Sequence, residues 1–453
     1  MEIEKEDNEK IEEIKRILGK KNEFNKVIVE FFGKKDLAKK ILKIQPLYYD
    51  EAKMWWIWDT EKKYWKIVDE TDILNLVDFL AVYNTTNSKE KTEILEALRQ
   101  EARKNKPLPS KPTWVQFNNV VFDVMTGERF FPSPKYFICN RIPYNLHPLN
   151  YELTPTIDRI FEEWVGKEYV KTLYQIIAYC MLPDYPIHRL FCFVGSGMNG
   201  KSCFLNLLKK AIGTENCTST ELDILLNSRF EITKLHKKLV CLMGETNFNE
   251  IKNTSILKKL TGGDLIGFEY KNKMPFEDVN YAKIIISTNN LPTTLDKTIG
   301  FYRRWLIIEF PNQFSEEKDI LAEIPEEEYQ SLVLKCVGML KDLLKERRFW
   351  NEGSVEERIE KYESKSNFLE KFVKNFLEED TESYITVSEF NRRFLSWCKE
   401  NRHREMSETS IGIAMKKLGF EQIRKRLDWL YDGRGGQARV WLGVKWKEEI
   451  TQK

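Results

Sequence analysis

Gly195-Ser196-Gly197-Met198-Asn199-Gly200-Lys201-Ser202 fits the spacing G-x-x-x-x-G-K-[ST]. A loop of this kind turns its backbone N–H groups toward a phosphate, and the helix that follows adds the positive end of its dipole. Lys201 would reach the β- and γ-oxygens of a nucleoside triphosphate, and the Ser202 hydroxyl would sit on Mg²⁺. The plain alternative is a glycine-rich turn. Downstream, Lys237-Lys238-Leu239-Val240-Cys241-Leu242-Met243-Gly244-Glu245 is an apolar run that ends in an acid. Glu245 would act as general base on the attacking water and help to hold the metal. Ala282 to Asn290 is a second apolar run, and Asn289 at its end would place an amide on the γ-phosphate or the water. Otherwise Asn289 is a turn residue. Arg303 and Arg304 precede a third run, Trp305 to Phe310. An arginine that cannot reach its own loop can act on a neighbour's γ-phosphate, which requires an oligomer. Arg304 is the preferred finger, and core salt bridges are the alternative for one of the two.

These side chains need a scaffold that brings strand ends together. Leu190-Phe191-Cys192-Phe193-Val194 is an apolar run typical of a buried parallel strand. Cys203 to Lys210 forms a helix, and Gly213 is placed to end it. Strand, glycine loop and helix thus follow in the order that phosphate binding requires. Between the runs, Phe268 to Phe276 reads as a hairpin with Lys271 and Lys273 at its tip, able to grip the phosphates of one DNA strand. A solvated surface turn is the alternative.

The expected organisation has four parts: a charged helical segment (1–45), an α+β module (46–150), an α/β ATPase domain with a parallel sheet (151–350), and a helical linker with a winged helix (351–453). Tryptophans at 55, 56, 58 and 65 could stack bases but more readily fill a small core. Ile73 to Arg103 has helical spacing, and Asn105 to Pro112 is a Pro/Lys linker. In the last part Ser388 caps one helix, Ser407 or Ser410 caps a second, and a hairpin turns at Asp432 to Gly436. Arg424, Arg426 and Arg434 are placed for DNA phosphates, although such a unit can also pack on protein.

Composition bounds the rest. The 453 residues are too many for one core. Hydrophobic content of 42% and charged content of 31% suit a globular protein without a membrane span, expected in the cytoplasm. A net charge of +2 leaves nucleic-acid contact to local patches. Eight scattered cysteines without C-x-x-C suit buried thiols in a reducing interior, and four dispersed histidines argue against zinc.

Taken together, Gly195 to Phe310 resembles the superfamily 3 helicases, in particular the helicase part of phage, plasmid and large-DNA-virus primase–helicases. G-x-G-x-N-G-K-S, the Glu-ended strand, K-x-L-T-G-G-D at Lys258 to Asp264, S-T-N-x-x-P at Ser287 to Pro292, and the arginine pair occur in family order. Trp114 to Pro148, Tyr48 to Val68 and the C-terminal unit are similar to the family's flanking modules; the first 45 residues lie outside. The resemblance implies an AAA+-like P-loop core and a hexameric ring that moves on single-stranded DNA with ATP and Mg²⁺, typically 3′ to 5′. It also implies action on forked duplex DNA and work beside a separate primase or polymerase. Gly244 stands where many related ATPases carry a second acid, so the metal falls to Ser202 and Glu245, with Asp264 a further candidate. Too little chain precedes residue 46 for a primase domain, so primer synthesis is not expected. The rival readings are a DNA-dependent ATPase that loads or remodels without unwinding, and an origin-binding initiator.

Overall fold

The computed structural model describes residues 33–80, 87–147, 153–245, 250–315, 319–400, 406–427 and 435–447. Five apolar runs pair into one sheet: β1 (Leu190–Val194), β2 (Cys217–Ser219), β3 (Val240–Glu245), β4 (Lys283–Thr288) and β5 (Trp305–Glu309). The spatial order is β2-β3-β4-β1-β5, and every adjacent pair is parallel. β1 and β4 are buried along their whole length, as strands covered on both faces must be. One face packs on helices α1 (Pro155–Val165), α2 (Lys167–Cys180), α3 (Lys201–Ile212) and α4 (Glu326–Glu346) through Trp164, Ile177, Phe204, Leu208 and Leu340. The other face packs on Leu222, Leu257, Phe301 and Tyr362. Because all five strands run the same way, Val194, Glu245, Thr288 and Glu309 end at one edge of the sheet. α3 stops at Gly213 (φ 93°), as its sequence predicts.

The upstream module differs from its expected outline. Leu47–Tyr49, Trp55–Asp59 and Tyr64–Val68 form an antiparallel sheet, and Trp55, Trp56 and Trp65 are 1–2% exposed. They are core residues and present no ring to a base. The boundary at 45/46 does not separate two units, because Leu37 and Ile41 of helix Lys34–Ile44 share a core with Leu47 and Trp55. Nor does a boundary at 150: Val115, Phe117, Ile142 and Leu146 lie in the same core as Phe161 and Phe193. The Pro/Lys stretch is pinned, with Leu108–Pro109 pairing in parallel with Tyr136–Phe137. The helical pattern after Ile73 is two helices, Glu70–Leu80 and Ser88–Lys104, the second opened by an Asn87/Glu90 capping box.

At the C-terminal end, helix Phe368–Phe376, strand Leu377–Thr386, helices Val387–Glu400 and Glu408–Lys417, and strands Gln422–Leu427 and Gly436–Trp446 gather around Phe372, Phe390, Phe394, Met415 and Trp441. The three strands are antiparallel, with Gly436–Trp446 in the middle. Ser388 is not the cap of its helix, because Thr386 Oγ1 accepts the Glu389 N–H at 3.2 Å. Ser407 does cap the next one, accepting the Ser410 N–H. None of the eight cysteines is in a disulfide. Among the described residues no helix is long and apolar enough to cross a membrane.

Candidate functional site

The glycine loop closes the C-terminal edge of the sheet directly after β1. Its conformation depends on three of its residues. Gly200 (φ 88°) lies against the Trp164 indole, where a Cβ would stand 2.3 Å from Nε1. At Gly195 a Cβ would stand 1.9 Å from Asn199 Nδ2 and 2.7 Å from the Phe310 carbonyl. Gly197 (φ 99°) has open space where its Cβ would be, so that face of the loop can admit a ligand. Asn199 is buried and donates to the Phe310 carbonyl at 3.2 Å. Lys201 opens α3 and is 6% exposed; its ammonium donates to the Gly195 carbonyl at 2.6 Å and to Asn199 Oδ1 at 2.8 Å. Met198 and Ser202 are exposed, and Ser196 Oγ accepts from Gln313 at 3.3 Å. A buried cation, backbone N–H groups and a hydroxyl on the first helical turn therefore converge on one loop. That set suits a polyphosphate and a hard divalent cation.

β3, β4 and β1 are neighbours, so Glu245, Asn289 and the loop follow strands that end side by side. At ~4.8 Å per strand the ends of β3 and β1 lie about 10 Å apart. Gly195 N–H donates to the Thr288 carbonyl at 3.3 Å, which ties the loop to the start of the Asn289 turn. Asn289 is exposed, while Ser287 and Thr288 beneath it are buried. Met243 pairs with Ile286 and Glu245 with Ser287, so Gly244 is the extra residue of a bulge at the end of β3. A bulge re-aims the residue after it. The Glu245 side chain lies outside what the structure describes.

The two arginines have different surroundings. They precede β5, where Trp305 pairs with Leu190 at the beginning of β1. The length of a five-residue strand, roughly 15 Å, therefore separates them from the loop of their own chain. Arg303 is exposed. Arg304 is 7% exposed: Nε donates to Thr261 Oγ1 at 2.9 Å, Nη2 to the Lys258 carbonyl at 3.3 Å, and Nη1 to the Gly300 carbonyl. Burial, followed by the Arg303 charge, lowers its pKa. The preference for Arg304 as the finger is therefore corrected: its guanidinium is engaged inside its own subunit, and Arg303 is the arginine that faces out.

The expected hairpin pairs Leu265–Phe268 with Phe276–Val279. Lys271 is exposed at its tip, but Lys273 donates to the Lys53 carbonyl at 3.2 Å and so lies against the upstream module. Arg424 and Arg426 are exposed on one face of their strand, and Arg424 sits directly opposite the exposed Arg439. Arg434 lies outside the described residues. Asp264 is exposed, near Arg304, on the loop that leads into the hairpin. Trp164 and the 310–314 stretch went unassigned in the sequence, yet both support the loop; Phe314 N–H donates to the Met198 carbonyl at 2.7 Å. The signal for them is indirect, since a glycine required by crowding implies a bulky neighbour without naming it.

Residues 35–167 match a family described as D5 N terminal like, and residues 193–304 match a family of unknown function, DUF5906. A protein of Acanthamoeba polyphaga mimivirus named "Putative helicase" is 24% identical over 258 residues, 54% of this chain and 25% of that protein. The family match and this relative support the resemblance to the phage and viral primase–helicases. The chain spans about a quarter of that mimivirus relative's length. The match beginning at residue 35 extends the relationship into a stretch where the sequence motifs carried no resemblance. Among solved structures, the apo A form of the NrS-1 C-terminal region aligns with 90% of this chain and 99% of its own at 15% identity and a TM-score of 0.47. A second apo structure of that region aligns with 92% and 100%, also at 15% and 0.47.

Proposed function

We propose that this chain is the ATP-driven motor of a viral or plasmid replication helicase, working as a ring, in the manner of a hexamer, on single-stranded DNA at a fork. The observation that carries the reading is the sheet edge. The glycine loop after β1, Glu245 as the last residue of β3 and Asn289 after β4 lie at that edge, while Arg303 stands at the far end of the sheet. The parallel order β5-β1-β4-β3-β2 sets the strand before the glycine loop between the strand before Asn289 and the strand after the arginines. ATP binds with its phosphates on the N–H groups from Gly195 to Ser202, and Lys201 turns from the loop oxygens to the β- and γ-oxygens. Ser202 and Glu245 would hold Mg²⁺, which would supply neutralisation of phosphate charge. Glu245 takes the proton of the attacking water, and Asn289 orients that water or the γ-phosphate. Arg303 of the neighbouring copy stabilises the charge that develops as the γ-phosphate leaves.

The C-terminal unit has the helix–strand–helix–helix–strand–strand order of a winged helix. Arg424, Arg426 and Arg439 supply a basic face, and Arg434, outside the described residues, is proposed to join them. Lys271, with Lys273 if its contact opens, meets the DNA strand. A separate primase or polymerase completes the system. Incubation with ATP and forked duplexes bearing a 3′ or a 5′ tail tests the reading. Unwinding of the 3′-tailed fork supports it. ATP hydrolysis on single strands with every fork left intact would make the chain a remodelling ATPase instead.

A further inference from the structure

Helix Thr254–Leu260, the 265–279 hairpin and the turn bearing Arg303 are joined by one buried polar knot. Arg304 is its centre, through its hydrogen bonds to Thr261, Lys258 and Gly300. The Thr261 hydroxyl, itself fully buried, accepts from Arg304 and donates to the Leu257 carbonyl at 2.8 Å. Gly262 lies on the guanidinium: a Cβ there would stand 2.7 Å from the Lys258 oxygen and 3.4 Å from Arg304 Nη2. From Gly262 the chain passes through Gly263 (φ 78°) into the first hairpin strand. Where the second strand leaves, buried Asn280 donates to the Leu260 carbonyl at 2.7 Å. Both feet of the hairpin thus stand on the helix end that Arg304 holds. The other side of the helix is clamped as well, because Asp296 accepts from Thr254 and pairs with Lys258, each at 2.5 Å. Burial would raise the Asp296 carboxyl, but hydrogen bonds from Lys258, Thr254 and Thr298 outweigh it and hold the group well below the usual carboxylate range.

A buried guanidinium with each of its three nitrogens donating to a fixed oxygen resists shear, since sliding either partner would strand desolvated polar atoms. The feet of the hairpin and the turn that carries Arg303 thus share one hydrogen-bonded anchor. We propose that Thr261 and Arg304 are positioning residues that couple the hairpin to Arg303, so that DNA held by the hairpin sets that arginine on the neighbouring copy's nucleotide. The inference rests on the motor reading above and adds the route by which one ligand reaches the other.

ATP turnover of the full chain, measured with and without an oligo-dT strand, tests it. Thr261→Val keeps the shape of the side chain but removes the hydroxyl. We expect its basal turnover, KM for ATP and melting temperature to stay near wild type, while DNA stimulation falls about fivefold or more. Thr261→Ser should retain stimulation. Stimulation intact in Thr261→Val overturns the coupling, and so does a parallel fall of basal and stimulated rates, which would mark a merely structural hydroxyl. If Thr261→Val does not fold, Arg304→Lys, which keeps the charge but cannot bridge the same oxygens, is judged by the same two criteria. A wild-type chain that oligo-dT never stimulates would overturn the motor reading, and the coupling with it.

Discussion

Two adjacent arginines with identical chemistry receive opposite assignments once their surroundings are known. Arg303→Ala should leave ATP binding intact and lower kcat by about 10³-fold, the usual scale for a finger on a transferring phosphate. Arg304→Ala should instead cost about 1–3 kcal/mol in a denaturant titration, because Thr261 and two carbonyls lose their buried partner. If the catalytic loss and the stability loss fall on the other member of each pair, the assignment is reversed. Lys201→Ala should abolish turnover by removing the only buried cation described within the loop. The sequence placed two arginines before β5 but could not tell their surroundings apart, because the acceptor on Thr261 lies more than forty positions away in the chain. Glycines were more legible: Gly195 and Gly200 stand where the motif demands them, and the crowding at each gives the reason.

At the level of elements, the loop depends on α1 as much as on β1 and α3. Gly200→Ala would force a Cβ into the Trp164 ring at a positive φ, so nucleotide binding, followed by equilibrium titration, should be lost together with some thermal stability. Lys283, at the start of β4, is fully buried; it donates to the Leu182 carbonyl and lies 4.9 Å from the Tyr179 ring centroid. Burial pulls its pKa down to about 7. Above that pH the folded chain carries Lys283 neutral, while the unfolded chain stays protonated until the ordinary lysine range, so unfolding takes up a proton. The stability of wild type relative to Lys283→Met should therefore rise as pH climbs from about 7, and flatten below it. Denaturant midpoints of both proteins across that range measure the difference, and parallel profiles would contradict it. The apolar runs of β1, β3, β4 and β5 were legible because parallel strands covered on both faces must be apolar throughout. The bulge at Gly244 was not, since a bulge is a property of pairing register rather than of the residue.

At the scale of the whole molecule, the hydrophobic core runs across the boundary expected near residue 150. Phe117 and Ile142 bury themselves against the helices that carry the sheet, and no local pattern signals a partner that distant. The C-terminal unit was easier to read, because its helices and strands close their core within a short stretch of chain. Its basic face carries a prediction of its own. Arg424 opposite Arg439 is a like-charge cross-strand pair, unfavourable alone and relieved by phosphate. Replacing Arg424, Arg426 and Arg439 with alanine should weaken DNA binding and flatten its salt dependence by about one unit of slope for each phosphate left without its arginine. An unchanged slope would assign that face to protein binding.

The central claim is that each ATP site is completed by a second copy of this chain. It is tested most directly by mixing Lys201→Ala subunits with Arg303→Ala subunits and measuring ATP hydrolysis. Each variant alone should be inactive, and the mixture should regain turnover, because some interfaces then pair an intact glycine loop with an intact arginine. A mixture as inactive as its components, although the two variants co-assemble, would contradict a site shared between subunits.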